Sequence, residues 1–201
     1  AGLNFTTSTV TGALSATATT GDITDSGNLA ITGAATFITG ATGSNIVLDS
    51  SGNVFSNSVE MKAGDGTAAF GNITFVDSAG IDFATSAGSN GDLYINSSTD
   101  GTVGGNLSVT ATTGNITDTV AVVTTGSSTS SFTTSATNGT IELNTPASLA
   151  GAVALSTTGA SGNATIDNGT TALNIAASSI GGNLTVTSGA GAGITDSGTV
   201  T

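Results

Sequence analysis

The 201-residue sequence contains no cysteine, no histidine and no tryptophan, and against thirteen acids it sets one cation, Lys62, so arginine is missing as well. Each absence removes a class of chemistry. Without cysteine there is neither a disulfide framework nor a thiolate metal site. Without histidine the commonest general base and the commonest metal ligand are gone. A formal net charge of −12 with a lone lysine is the reverse of what phosphate backbones and anionic lipid surfaces attract, which argues against nucleic acid and membrane surfaces as partners. No apolar run approaches the roughly 20 residues that span a bilayer, so membrane insertion is not expected. No basic segment followed by an apolar one marks a secretory leader, as suits a mature or an internal piece of a protein.

Helix formers are scarce too. Lys, Arg, Gln and Glu, which normally cover a helix surface, are nearly absent, while glycine (30 residues) and β-branched residues abound. Only 4% of residues are aromatic and 7% charged, but 37% are hydrophobic. Valine, isoleucine, leucine and phenylalanine recur at alternate positions in short runs, which separates this composition from Gly/Ser/Thr-rich disorder.

What is present is a repeat. Asn106-Leu-Ser-Val-Thr-Ala-Thr-Thr-Gly-Asn-Ile-Thr-Asp118 matches Ala13-Leu-Ser-Ala-Thr-Ala-Thr-Thr-Gly-Asp-Ile-Thr-Asp25 at ten of thirteen positions. A third copy, Asn183 to Asp196, carries one extra residue. Within the motif Leu107, Val109 and Ala111 alternate with Ser108, Thr110 and Thr112, the period of a strand buried on one face. Such a strand cannot bury its apolar face alone, so recurrence implies stacked copies sharing one core. Apolar pairs at i and i+2 then run from Leu29/Ile31 to Leu184/Val186, separated by turn words such as Asp-Ser-Gly-Asn, leaving no room for crossover helices.

The three copies lie 93 and 77 residues apart, counted from Leu14 to Leu107 to Leu184. A common coil of roughly 19 residues, near the short end of known solenoid repeats, fits both intervals. The expectation is therefore an all-β, right-handed parallel β-helix of about ten such coils, essentially without α-helix, filling 1–201 as one array. Its modules are degenerate: about 10–102, 103–179 and 180–201, with Leu93/Ile95 marking an extra coil in the first. The alternative, an antiparallel sandwich or Ig-like modules, asks for longer strands and hairpin pairing. Leu14, Ile46, Phe75, Phe83, Leu107, Ile141, Leu155, Leu173 and Leu184 are the expected core columns.

Candidate chemistry is sparse. Asp77 with Asp82, or Asp22 with Asp25, are carboxylate pairs of the kind that glycosidases use, but single acids scattered at turns read more simply as solvated turn residues. No catalytic residue and no cofactor is expected. Calcium at Asp-rich turns is chemically reasonable, though neither an EF-hand loop nor the Gly-rich nonapeptide occurs. Nine Asn-x-Ser/Thr triplets begin at Asn4, Asn72, Asn96, Asn106, Asn115, Asn138, Asn163, Asn168 and Asn183, as expected of such a composition. Aligning the copies puts Thr17, Thr110 and Thr187 in one outward file and Thr24, Thr117 and Thr195 in another, the kind of hydroxyl ladder an ice-binding face would use.

Gly-Gly-Asn-Leu-Ser-Val-Thr-Ala-Thr-Thr-Gly-Asn-Ile-Thr-Asp (104–118), Ile-Thr-Asp-Ser-Gly-Asn-Leu-Ala-Ile-Thr-Gly-Ala-Ala-Thr-Phe (23–37) and Gly-Gly-Asn-Leu-Thr-Val-Thr (181–187) resemble the repeats of filamentous-haemagglutinin-like large exoproteins, the surface adhesins of Gram-negative bacteria. The resemblance covers nearly the whole chain. It implies a right-handed shaft, export by a two-partner or autotransporter-type route, and contact with a host cell, a neighbouring cell or extracellular matrix. The functional expectation is a non-enzymatic extracellular structural or adhesive solenoid. The alternatives are a filament subunit stacking end to end, a carbohydrate-active β-helix and an ice-binding solenoid. Because the sequence stops in mid-repeat with no polar cap, it is expected either to belong to a longer array or to stack on copies of itself.

Overall fold

A computed structural model describes residues 1–65, 70–84, 92–95, 102–189, 191 and 193–201. Among these, every element is a β-strand and none is a helix. The first long sheet has nine strands, in the order β1 (Leu3–Phe5), β4 (Ile23–Asp25), β7 (Ile46–Leu48), β10 (Ile73–Asp77), β14 (Leu107–Ala111), β17 (Ser130–Thr137), β19 (Ala152–Thr158), β21 (Leu173–Ile175) and β23 (Ile194–Asp196). The second also has nine: β3 (Leu14–Ala18), β6 (Ala35–Thr39), β9 (Val59–Lys62), β12 (Asp92–Ile95), β11 (Ile81–Phe83), β15 (Ile116–Asp118), β18 (Ile141–Leu143), β20 (Ala164–Asp167) and β22 (Leu184–Thr187). A short sheet of β2 (Ser8–Val10), β5 (Leu29–Ile31) and β8 (Val54–Phe55) forms a third side, and the pair β13 (Thr102–Val103) and β16 (Val123–Thr124) forms another. All strand pairs in these sheets are parallel, each strand lying on its equivalent from the next coil, as in β4 on β7 and β14 on β17. The molecule is a parallel β-solenoid.

The coils are fewer and longer than the expected ten of about 19. Asx residues stacked one coil apart are separated by 23 residues from Asp22 to Asn45, 27 from Asn45 to Asn72, 34 from Asn72 to Asn106 and 23 from there to Thr129. A third side on each coil takes up the additional residues. Leu93 and Ile95 mark no extra coil either. They lie in β12, which enters the second sheet out of chain order, between β9 and β11, while in the first sheet β7 pairs directly with β10 and β10 with β14.

The third side also changes corner. Up to β9 the chain runs from first sheet to short sheet to second sheet, then returns through a turn: β4, β5, β6, β7. From β10 onward it passes by a tight turn from first sheet to second, β14 to β15, and places its short strand, β16, on the way back. In the last coil the bridge between Ser178 and Val200 puts a short side between β21 and β22 once more. The three copies of the repeat are consequently not stacked on one another. Leu14 and Leu184 stand in the second sheet and Leu107 in the first, and the Thr17, Thr110 and Thr187 file is divided in the same way.

The core follows from strand alternation. In the first sheet Ile46, Ile73 and Leu107 form one inward column, and Phe75, Val109, Phe132 and Leu155 another. In the second, Ile81, Ile116, Ile141 and Ala164 stack. All are buried. Phe5, Phe37, Phe55 and Phe75 zigzag across the lumen with ring centroids 6.1, 6.2 and 5.0 Å apart, linking all three sides of the N-terminal coils. Phe83 meets Phe132 edge-on at 5.9 Å in the next section.

Candidate functional site

The polar residues divide into clamps, caps and faces. The clamps stand immediately before the strands. Asn45 N–H donates to Asp22 Oδ1 at 2.8 Å, Asn72 N–H to Asn45 Oδ1 at 2.8 Å, Asn106 N–H to Asn72 Oδ1 at 2.8 Å and Thr129 N–H to Asn106 Oδ1 at 2.9 Å. The second sheet repeats the device, with Thr140 N–H on Asn115 Oδ1 and Asn183 N–H on Asn163 Oδ1. Each side chain holds the backbone of the following coil in register, satisfying a donor at the point where the strand ladder begins. The approach is close: a Cβ on Gly71 or Gly105 would run into the carbonyl of Ser44 or of Gly71 beneath it.

The caps stand at the strand ends. Asp25 accepts Asp49 N–H at 3.0 Å and the Asn53 amide at 2.7 Å, and Asp118 accepts the N–H groups of Asn144 and Thr145 at 2.8 and 3.1 Å. Burial raises the Asp118 pKa above the usual carboxylate range. The two N–H donors oppose that shift, and neighbouring Asp82 adds to it. Buried asparagines close the third side in both arrangements. Asn53 Oδ1 accepts Leu29 N–H at 2.8 Å, and Asn168 Oδ1 accepts Leu149 N–H at 2.7 Å; both asparagines are fully buried. Asn168 also donates to the carbonyls of Leu149, Thr171 and Ala172, so its triplet is closed to a glycan in the folded chain. Asn96, which opens another of the triplets, lies outside the described residues.

The candidate carboxylate pairs are not assembled as pairs. Asp22 clamps and Asp25 caps. Asp77 points inward from the first sheet, whereas Asp82, on the second, faces outward and accepts the Thr117 hydroxyl at 2.9 Å. The reading of Asp77 as a solvated turn acid is corrected by its 1% exposure. Among the described residues no three acidic side chains gather where a cation could sit. Of the expected core residues, Ile46, Phe75, Phe83, Leu107, Ile141, Leu155 and Leu173 are buried; Leu14 and Leu184, on the edge strands of the second sheet, are half-buried.

The faces are plain. From β10 to β19 the outward positions of the first sheet run Thr74, Ser108, Ser131, Ala154 and, alongside, Thr110, Thr133, Ser156, with Val76 at the head of the second file buried. None is charged. An open groove of about 450 Å³ at the C-terminal end of this face is lined by Ser131, Ala154, Ser156, Ala177, Ser179 and Thr199 among others. Hydroxyls and methyls can make neutral contacts with a partner, but they supply no base, acid or metal ligand. The second sheet differs, presenting Glu60, Lys62, Asp82 and Glu142 outward. Sequence reasoning missed the clamps. Their signal is the recurring Asx-aliphatic pair that opens a strand: Asp22-Ile23, Asn45-Ile46, Asn72-Ile73, Asn106-Leu107, Asn115-Ile116 and Asn163-Ala164.

Fold and polar framework together define a β-solenoid repeat protein whose coils are clamped to one another by asparagine and aspartate. The chain belongs to the family described as repeats of unknown function (DUF5649), which matches residues 1–62 and 161–201, just over half of its length. No curated protein and no solved structure matches it.

Proposed function

We propose that the chain is a non-enzymatic shaft segment at the surface of a Gram-negative bacterium, holding a binding tip or a repeated lateral face away from the cell. The observation that carries this reading is the clamp ladder. Six Asx side chains clamp one coil to the next above inward aliphatic columns, so that most of the framework propagates one rigid stack, and the polar groups that remain are spread singly along it. The resemblance of 104–118 and 181–187 to filamentous-haemagglutinin-like repeats supports the surface location, right-handed winding and export by a two-partner or autotransporter-type route. Partners on this reading are a cell surface or extracellular matrix, met through neutral contacts on the charge-free face, without metal or cofactor. The test is twofold. Antibody against the chain should label intact source cells without permeabilisation, and beads coated with it should bind cells or matrix in chelator as well as in calcium. Label confined to permeabilised cells would overturn the location. Polysaccharide turnover lost in Asp82→Ala would overturn the non-enzymatic part.

A further inference from the structure

The corner change between β9 and β14 is the joint of this solenoid, and its coil is the longest, with 34 residues between Asn72 and Asn106. Among the described residues the short sheet stops here, with β8 as its last strand. Phe55 of β8 therefore has no further strand to receive its N–H, which goes instead to Asp77 Oδ1 at 3.3 Å. The same oxygen takes the Ala79 N–H at 3.2 Å. Asp77 ends β10 in an inward position, in register with Ala111 of β14. The next residue continues the closure: Ser78 N–H donates to the Asn53 carbonyl at 2.7 Å.

No cation faces this carboxylate. β7, β8 and β14 present no titratable side chain toward it. Asp49, just past β7, is exposed; Asp25 is reached only through Asn53; Asp82 on β11 and Lys62 on β9 stand on the second sheet's outward side. A buried carboxylate with amide donors but no counter-charge is better tolerated neutral than ionised.

We propose that Asp77 is a proton-operated lock on the joint: protonated, it keeps the end of the short sheet closed, and ionised, it lets that corner open. Desolvation pushes its pKa up to about 6 from 3.8, against the opposing pull of the Ala79, Phe55 and Ser78 amides. Opening the corner to water returns the group to its ordinary value. The stabilisation is therefore fully present below the ordinary value, falls as pH rises through about 6, and is absent above it. From pH 7.5 to pH 4.5 the closed corner gains roughly thirtyfold over the open one.

Amide hydrogen exchange in the native chain, corrected for intrinsic rates, reads this directly. Protection at Phe55 and Ala79 should rise by that factor on going from about pH 7.5 to about pH 4.5, and Asp77→Asn should flatten the response. An undiminished response in Asp77→Asn would overturn the lock. If the variant fails to fold, titrating the Asp77 carboxyl carbon by NMR in the native chain decides. A midpoint near 6 is expected, and one at or below the ordinary carboxylate value refutes the proposal. It does not depend on where the shaft is displayed.

Discussion

Residues 1–62 and 161–201 carry the recognisable family repeat and the stretch between them does not, yet both regions build the same solenoid. In the outer regions the long strand of the motif lies in the second sheet and its Ile-Thr-Asp strand in the first, as β3 with β4 and β22 with β23. In the middle the assignment is reversed, as β14 with β15. The middle copy, Asn106 to Asp118, is nonetheless the closest in sequence to the first. What changes is the spacing around it: 34 residues from Asn72 to Asn106, against 23 from Asp22 to Asn45. The motif thus specifies a strand, a tight turn and a capping aspartate, while the connecting lengths decide which face each strand joins. Clamp and cap chemistry is indifferent to the choice. Asp25 caps two N–H groups from the first sheet just as Asp118 caps two from the second.

If both regions are equally sound as solenoid but differ in cover, core truncation should separate them most. Phe132, in the middle, is fully buried and stacks on Phe83, whereas Phe5, in the first coil, is only half-buried against Phe37. Phe132→Ala should lower unfolding free energy by about 3–5 kcal/mol and Phe5→Ala by about half as much or less. Urea midpoints compare them, and equal losses would show the outer rung to be packed as tightly as the middle.

The clamps sharpen the comparison from the other side, because here no difference is expected. Asn106→Ala orphans the Thr129 N–H in the middle, and Asn163→Ala orphans the Asn183 N–H in the matched region. Both sites are solvent-accessible, so water takes up part of the loss and each should cost about 0.5–1.5 kcal/mol. A clear inequality between the two would mean that register is set differently in the two regions. A smaller effect is expected from pH at Asp118. Burial raises its pKa, so stability present at low pH is lost as pH rises through its folded value, and Asp118→Asn should weaken that dependence without abolishing the contribution of Asp77.

Much of this was legible in the residues. Alternation at Leu107, Val109 and Ala111 and the lack of helix formers fix parallel stacked strands, and the triplicated motif fixes a repeat. The corner change was not legible, because Leu-Ser-Val-Thr-Ala reads the same whichever sheet it joins. Dividing the intervals of 93 and 77 residues by one unit assumed equal coils, whereas the joint holds one of 34 residues between neighbours of 27 and 23. Asp77 looked like the other turn acids because burial is a property of the corner it closes, and nothing local distinguishes Phe-Val-Asp-Ser from Ile-Thr-Asp-Ser. The clamps were hidden in plain Asn-Ile pairs, where composition alone accounts for each asparagine.

The smallest effect on stability concerns the charge-free face, and it separates scaffold from contact surface. Thr110 and Thr133 stand side by side on β14 and β17, outward and uncharged. Replacing a threonine on an exposed strand position by alanine removes a hydroxyl that water already satisfies, so Thr110→Ala should shift stability by no more than about 0.5 kcal/mol. Leu107→Ala, three residues away on the opposite face, should cost about 2–5 kcal/mol. Equal urea midpoints for the two variants would mean that inward and outward faces have been misassigned. Thr110→Glu with Thr133→Glu carries the test to function. On the proposed reading, a chain of net charge −12 that meets its partner through the neutral outward face of the first sheet should keep its fold and lose bead adhesion on acquiring two more carboxylates there. Placing the same pair of charges at Thr165 and Thr185 of the second sheet, which already presents acids, should leave adhesion unchanged. If the two double variants adhere alike, the first sheet is not the contact surface.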